Sequence, residues 1–186
     1  MDLERCVFHQ RTGGNADAEA LHPLSALEKL DPDAYARAFA KYDDTLERRR
    51  LRETWIPGIE AGWTEVVFQT PLRPHVIWQA WKDIAGVELP SQEFWAIPIE
   101  AIGDAVTLDR QLTSTGDPID PREVASIDVA AYRSQTETTS RNRQWIAELA
   151  AVGKRGAWFN GTPHVLTRGP VPLRTAEVID WRTAGE

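Results

Sequence analysis

Three polar side chains interrupt apolar, strand-like runs, and they are the first candidates for chemistry. His9 follows Val7-Phe8, Gln69 follows Val66-Val67-Phe68, and His164 precedes Val165-Leu166. A sheet fixes the backbone of its strands while their ends stay accessible, so such groups suit ligand binding; taken alone, each reads more readily as a strand end reaching solvent. Imidazole titrates near neutral pH, which also fits His9 or His164 to general-base work. The four histidines, His9, His22, His75 and His164, stand far apart, and none begins a recognised ligand pair, so no metal is expected. Cys6 is the only cysteine and can close no intramolecular disulfide; beside Val7 and Phe8 it reads as a buried thiol rather than a nucleophile.

The common catalytic signatures are missing. There is no Gly-x-Ser-x-Gly elbow, no Gly-x4-Gly-Lys-Ser/Thr phosphate loop and no Gly-x-Gly-x-x-Gly fingerprint. Carboxylate pairs can be drawn anywhere among 28 acidic residues, so their number is not diagnostic of glycosidase chemistry. Arg11, Arg73 and Arg110 lie beside the candidate strand ends, where a guanidinium could meet a phosphate. The run Arg48, Arg49, Arg50 and Arg52 could contact nucleic-acid phosphates, but flanked by Glu47 and Glu53 it also reads as a solvated helix face. A net charge of −7 argues against coating nucleic acid by long-range attraction. Eight tryptophans must fill a core, face a ligand or anchor a partner.

Positioning these groups falls to a series of short elements. Residues 5–12 alternate weakly and meet the turn signal Gly13-Gly14-Asn15, which predicts a first strand. Asp31-Pro32 starts a helix as N-cap and first helical residue, with Ala34, Tyr35, Ala38, Phe39 and Tyr42 at helical spacing and a charged continuation over 47–53. A strand is expected within 63–70, barred by Pro71 and Pro74. A helix follows from His75, with Ile77, Ala80, Trp81 and Ile84 on one face and Gly86 as its cap. Further strands are expected over 94–99, 105–112, 164–167 and 177–181, and a helix capped by Ser140 over 141–152 with Trp145, Ile146, Leu149 and Val152 on its apolar side. Residues 115–121 read as a loop, and 128–139 are too polar to place.

With no repeat or linker dividing the chain, this order predicts an α+β fold: one domain over residues 1–186 with a split, mostly antiparallel sheet and flanking helices. No apolar run approaches the roughly eighteen residues of a membrane span. The opening residues also lack the layout of an export signal, so a cytoplasmic protein without a membrane partner is expected.

Three segments carry a resemblance to a known family. They are Val7-Phe8-His9; Val66-Val67-Phe68-Gln69-Thr70-Pro71-Leu72-Arg73-Pro74-His75-Val76; and Pro163-His164-Val165-Leu166-Thr167-Arg168-Gly169-Pro170-Val171. In this order, with Phe94–Ile99 and Thr107–Gln111 between the last two, they resemble ADP-ribosyltransferases, nearest to the toxins that modify thymidine in DNA. The resemblance implies a split-sheet fold gripping NAD in a cleft, cleavage of the nicotinamide glycosidic bond, and transfer of ADP-ribose to a nucleic-acid or protein target. It implies that His9 holds a ribose hydroxyl, that Arg73 meets a phosphate, and that His164 stands where the family carries its catalytic glutamate. Arg11, Phe68, Gln69 and Arg110 complete the implied NAD site, with Phe68, Trp78 or Trp95 as flat surfaces for the bases. Histidine at 164 departs from the family: a neutral imidazole accepts a hydrogen bond but lacks the charge that stabilises an oxocarbenium ion. An alternative alignment puts Glu177 at that position. From a different class, the chain could be a non-catalytic protein-binding module, a partner or neutraliser in a toxin or bacterial defence system, anchored by exposed tryptophans.

Overall fold

The apolar alternation of the chain is resolved into two antiparallel sheets that share one seam. A computed structural model describes residues 1–184. Strand β1 (Cys6–Gln10) pairs with β6 (Glu93–Pro98), which pairs on its other side with β11 (Glu177–Asp180), giving a three-stranded sheet in the order β1-β6-β11. The second sheet has the order β5-β9-β7-β8, from β5 (Val66–Gln69), β9 (His164–Arg168), β7 (Ala105–Leu108) and β8 (Val124–Ser126). Phe8 and Thr70 exchange backbone hydrogen bonds of 2.9 and 2.8 Å and so tie β1 to the end of β5, which makes the sheet split as expected. Two short pairings, β2 (Ala20–Leu21) with β10 (Val171–Pro172) and β3 (Trp55–Ile56) with β4 (Ala61–Gly62), complete an α+β fold.

Strand pleating distributes side chains among three apolar layers. Cys6, Phe8, Phe94 and Ala96 face one side of the three-stranded sheet, where α4 (Pro74–Ala85) and α5 (Ser140–Ala151) cover them with Ile77, Trp78, Trp81 and Ile146. Val7 and Ile97 point the other way and meet Val67 and Val165 between the sheets. The far face of the four-stranded sheet carries Val66, Val106, Leu108 and Leu166 beneath Ile56 and Ile59. Burying side chains such as Trp81 and Trp181, both 0% exposed, removes well over 150 Å² each from water, several kcal/mol by area at about 25 cal/mol/Å².

Helix α4 begins with Pro74 at its first turn and ends at Gly86, which takes the left-handed conformation expected of a cap. Asp31 caps α2 (Pro32–Ala40) by accepting from the Ala34 amide at 2.9 Å. The helix does not continue through the arginines: turns follow Ala40, and Thr45 caps a separate α3 (Leu46–Leu51) by accepting from the Arg48 amide. Helix α5 is capped by Thr139 rather than Ser140, because the threonine hydroxyl reaches the Asn142 amide at 3.0 Å. Strand β7 stops at Leu108, four residues short of the expected span, where Asp109 and Arg110 turn into a loop. One helix was not expected: α1 (Leu24–Leu30), which packs on α2; neither has a fully buried residue. Among the described residues no helix is long and apolar enough to cross a membrane.

Candidate functional site

At the outer face of the four-stranded sheet a cavity of about 620 Å³ opens between β5, β7, β9, α3 and α5. Register puts its floor together. His164 lies opposite Leu108, and Phe68 opposite Leu166, so the pleat sends Phe68, Leu108 and His164 to the same side. The edge of the His164 ring meets Phe68 with centroids 6.3 Å apart, and Trp63 packs on Phe68 at 4.6 Å. Trp145 and Phe159 add aromatic wall, so the interior offers flat apolar surface on several sides.

The polar wall comes from the loop after β7 and from the first turns of α5. Arg141 pairs with Asp109 and donates to the Arg110 carbonyl at 2.6 Å, locking helix to loop. Arg110 itself donates to the Thr113 hydroxyl from Nε and Nη2, at 3.1 and 3.0 Å, and to the carbonyls of Ser114 and Asp117. Behind it, the buried Glu123 carboxylate accepts from the amides of Leu112 and Thr113, the Thr113 hydroxyl and the Asp120 amide; these bonds outweigh burial and hold it ionised down to about pH 2. The opposite rim, residues 158–162, is tied to α5 by Asn142, whose side-chain amide donates to the carbonyls of Trp158 and Asn160, both at 2.8 Å. Among the described residues, Glu148, which accepts from Gln144 at 2.8 Å, is the one carboxylate in the lining of the cavity. Burial lowers the pKa of His164 below its usual value, against the opposing effects of a hydrogen bond to the Thr162 backbone and the charge of Asp109. The ring is therefore neutral at pH 7 and available as a hydrogen-bond acceptor.

Of the residues expected at an NAD site, the structure brings Phe68, Arg110 and His164 into this cavity and leaves His9, Arg11, Gln69, Arg73, Trp78 and Trp95 out of its lining. His9 acts one step behind it. Its Nδ1 lies 2.7 Å from the Phe68 carbonyl, which can only accept, so Nδ1 carries the proton and the imidazole holds the strand that carries Phe68. Burial also lowers the pKa of His9. Gln69 is next to Phe68 on a strand and so faces the opposite side, buried against the Thr167 hydroxyl at 3.0 Å. Arg11 pairs with Glu93 and covers Trp95 with its guanidinium 5.3 Å from the ring centroid. Arg73 donates to the Ser134 hydroxyl at 3.1 Å and sits 3.9 Å from a Glu4 oxygen, anchoring the segment before α5 to the N-terminus. Glu177, on exposed β11 in the other sheet, is 3.8 Å from the terminal amine.

The arginines of α3 and of its C-cap, Arg52, are largely engaged locally. Arg48 pairs with Asp44 at 2.7 Å, Arg49 donates to the Asp43 carbonyl, and Arg52 pairs with Asp43 and covers Phe39; Arg50 borders a smaller groove of about 390 Å³ beside Trp55. Trp55, 54% exposed, is the only strongly exposed tryptophan of the eight, and Trp78 belongs to the core. Among the described residues no group of three or more His, Cys, Asp or Glu is placed to hold a metal ion.

Trp63, Thr113, Arg141, Glu148 and Phe159 are cavity residues that the sequence did not single out. Trp145 was expected on the apolar side of α5; it is half-buried at the cavity wall, donating to the Ala157 carbonyl at 3.2 Å, and Val152 is 65% exposed. Hydrophobic periodicity marked Trp145 as inward-facing, but nothing in local sequence marks a cavity wall assembled from β5, β7, β9 and α5. Compared with known proteins, the chain matches no family profile and shows no significant match to a curated protein or a solved structure.

Proposed function

We propose that the cavity binds an NAD-type dinucleotide and that the chain cleaves its nicotinamide glycosidic bond, passing ADP-ribose to a nucleophile on a nucleic-acid or protein target. The observation that carries the binding half is the convergence of Phe68, Arg110 and His164, from three separate segments, on one aromatic-walled cavity of about 620 Å³. That volume falls within the roughly 300–1,000 Å³ typical of small-molecule sites. Phe68 and Trp63 supply stacking surface, Arg110 a cation for the diphosphate, and neutral His164 an acceptor for a ribose hydroxyl. The transfer half rests on the family resemblance. With histidine at 164, Glu148 is the carboxylate in the lining that could offset a developing positive charge.

Calorimetric titration with NAD and chromatographic detection of free nicotinamide test the two halves separately. Binding is expected in wild type and weakened by Arg110→Ala and by Phe68→Ala. No heat at millimolar NAD would overturn the binding reading, and binding without nicotinamide release would overturn the enzymatic one.

A further inference from the structure

Cavity cations differ in how they are held. Arg141 has its charge met directly by Asp109, whereas Arg110 makes no ion pair among the described residues. All its hydrogen bonds run along one edge: Nε and Nη2 reach the Thr113 hydroxyl, and Nη2 also reaches the carbonyls of Ser114 and Asp117. Nη1, with two N–H donors, has no protein partner among the described residues. A threonine hydroxyl has one proton and two lone pairs. That of Thr113 lies 2.5 Å from Glu123 Oε2, and a carboxylate accepts only, so the proton points to Glu123 and the lone pairs face Arg110. The direction of the whole relay is thus set by the carboxylate. Glu123 is itself 6% exposed and fixed by the Leu112 and Thr113 amides at 2.6 and 2.9 Å.

We propose that Glu123 is a positioning residue: acting through the Thr113 hydroxyl, it holds the Arg110 guanidinium by one edge so that Nη1 is left as the donor to an anionic ligand group in the cavity. Only the identity of that anion, a dinucleotide diphosphate, rests on the function proposed above.

Two substitutions separate positioning from folding. Thr113→Val keeps the shape and removes the hydroxyl; Thr113→Ser keeps the hydroxyl. The Arg110 Nε–H, assigned by its loss in Arg110→Lys, is followed by hydrogen exchange in the full chain, and inorganic pyrophosphate is titrated by calorimetry. In Thr113→Val the Nε–H should exchange at least about tenfold faster and pyrophosphate should bind about tenfold more weakly, as loss of a charge-assisted bond implies; Glu123→Gln should follow it and Thr113→Ser should resemble wild type. Unchanged exchange in Thr113→Val overturns the relay. Wild type that does not bind pyrophosphate, or pyrophosphate affinity indifferent to Thr113→Val, overturns its role in anion binding. Pyrophosphate binding that responds as expected, with NAD silent, supports the relay and overturns the dinucleotide reading alone.

Discussion

Replacing Asn142 by Asp changes one buried atom and should cost more stability than most core truncations of that size. Asn142 is 0% exposed, and its side chain is fully used: Oδ1 accepts from the Thr138 hydroxyl at 2.8 Å, and Nδ2 donates to two carbonyls, those of Trp158 and Asn160. In Asn142→Asp the donor becomes an acceptor facing two acceptors. Two hydrogen bonds are lost at about 1–1.5 kcal/mol each, and the stranded buried oxygens add about 1–3 kcal/mol, so roughly 4 kcal/mol is expected at pH 7. The introduced carboxyl can relieve the clash by taking a proton, which restores one donor, so burial raises its folded pKa above the unfolded value of about 3.9. A raised acid pKa means that the folded state binds more protons, so the deficit relative to wild type grows as pH rises from about 4 toward the folded pKa and shrinks below it. Urea unfolding of both proteins at pH 7 and pH 4 measures this difference, and Asn142→Leu, which removes donor and acceptor together, provides a pH-independent control. A loss under about 1 kcal/mol at pH 7, or a deficit that does not shrink at pH 4, would refute the assignment of Asn142 as the tie between α5 and the 158–162 rim.

Two further outcomes follow from the loop after β7 and from the buried titratable groups. Gly116 has φ +89°, and a Cβ there would sit 2.8 Å from both the α-carbon and the carbonyl oxygen of Glu47, so Gly116→Ala should destabilise by about 2–4 kcal/mol. Thermal unfolding reads it, and a Tm unchanged within error would mean that the loop does not abut α3 as described. The folded pKa values of His9 and His164 are lowered from 6.5 and that of Glu123 from 4.5 to about 2, so the folded state binds fewer protons than the unfolded chain. Stability is then full above pH 6.5, declines first through the histidines, and declines again from about 4.5 toward 2 through Glu123. Denaturant midpoints across that range check the sign: a midpoint rising on acidification from pH 7 to 5 would contradict it, and Glu123→Gln should flatten the lower limb.

Elements with a local cause were legible. Pro74 at a first turn, an apolar stripe through Ile77 and Trp81, and Gly86 at the end fix α4 within its own residues. The same holds for the Asp31 cap and for the β-branched and aromatic strands β1, β5 and β9. Helix α1 was not legible, because Pro23 gives it no side-chain cap, it spans seven residues and it buries none of them fully. The opposite facing of Phe68 and Gln69 was also legible, because adjacent strand residues point to opposite sides of a sheet.

The sequence by itself determined an α+β chain whose strands carry His9, Gln69 and His164 at or near their ends, since periodicity, caps and prolines act over a few residues. Which of those ends meet was decided only by tertiary structure. Pairing of β9 with both β5 and β7 brings His164 beside Phe68, and Arg110 follows just beyond β7. The Ser134 hydroxyl and the nearby Glu4 carboxylate hold Arg73 elsewhere, and the Phe68 carbonyl takes His9 as a support behind the wall. Arg73 and Arg110 look alike in sequence, yet Ser134 and Glu4 hold Arg73 from distant segments, whereas Arg110 bonds within its own loop to Thr113, Ser114 and Asp117; partners, not residue type, decide what each guanidinium braces.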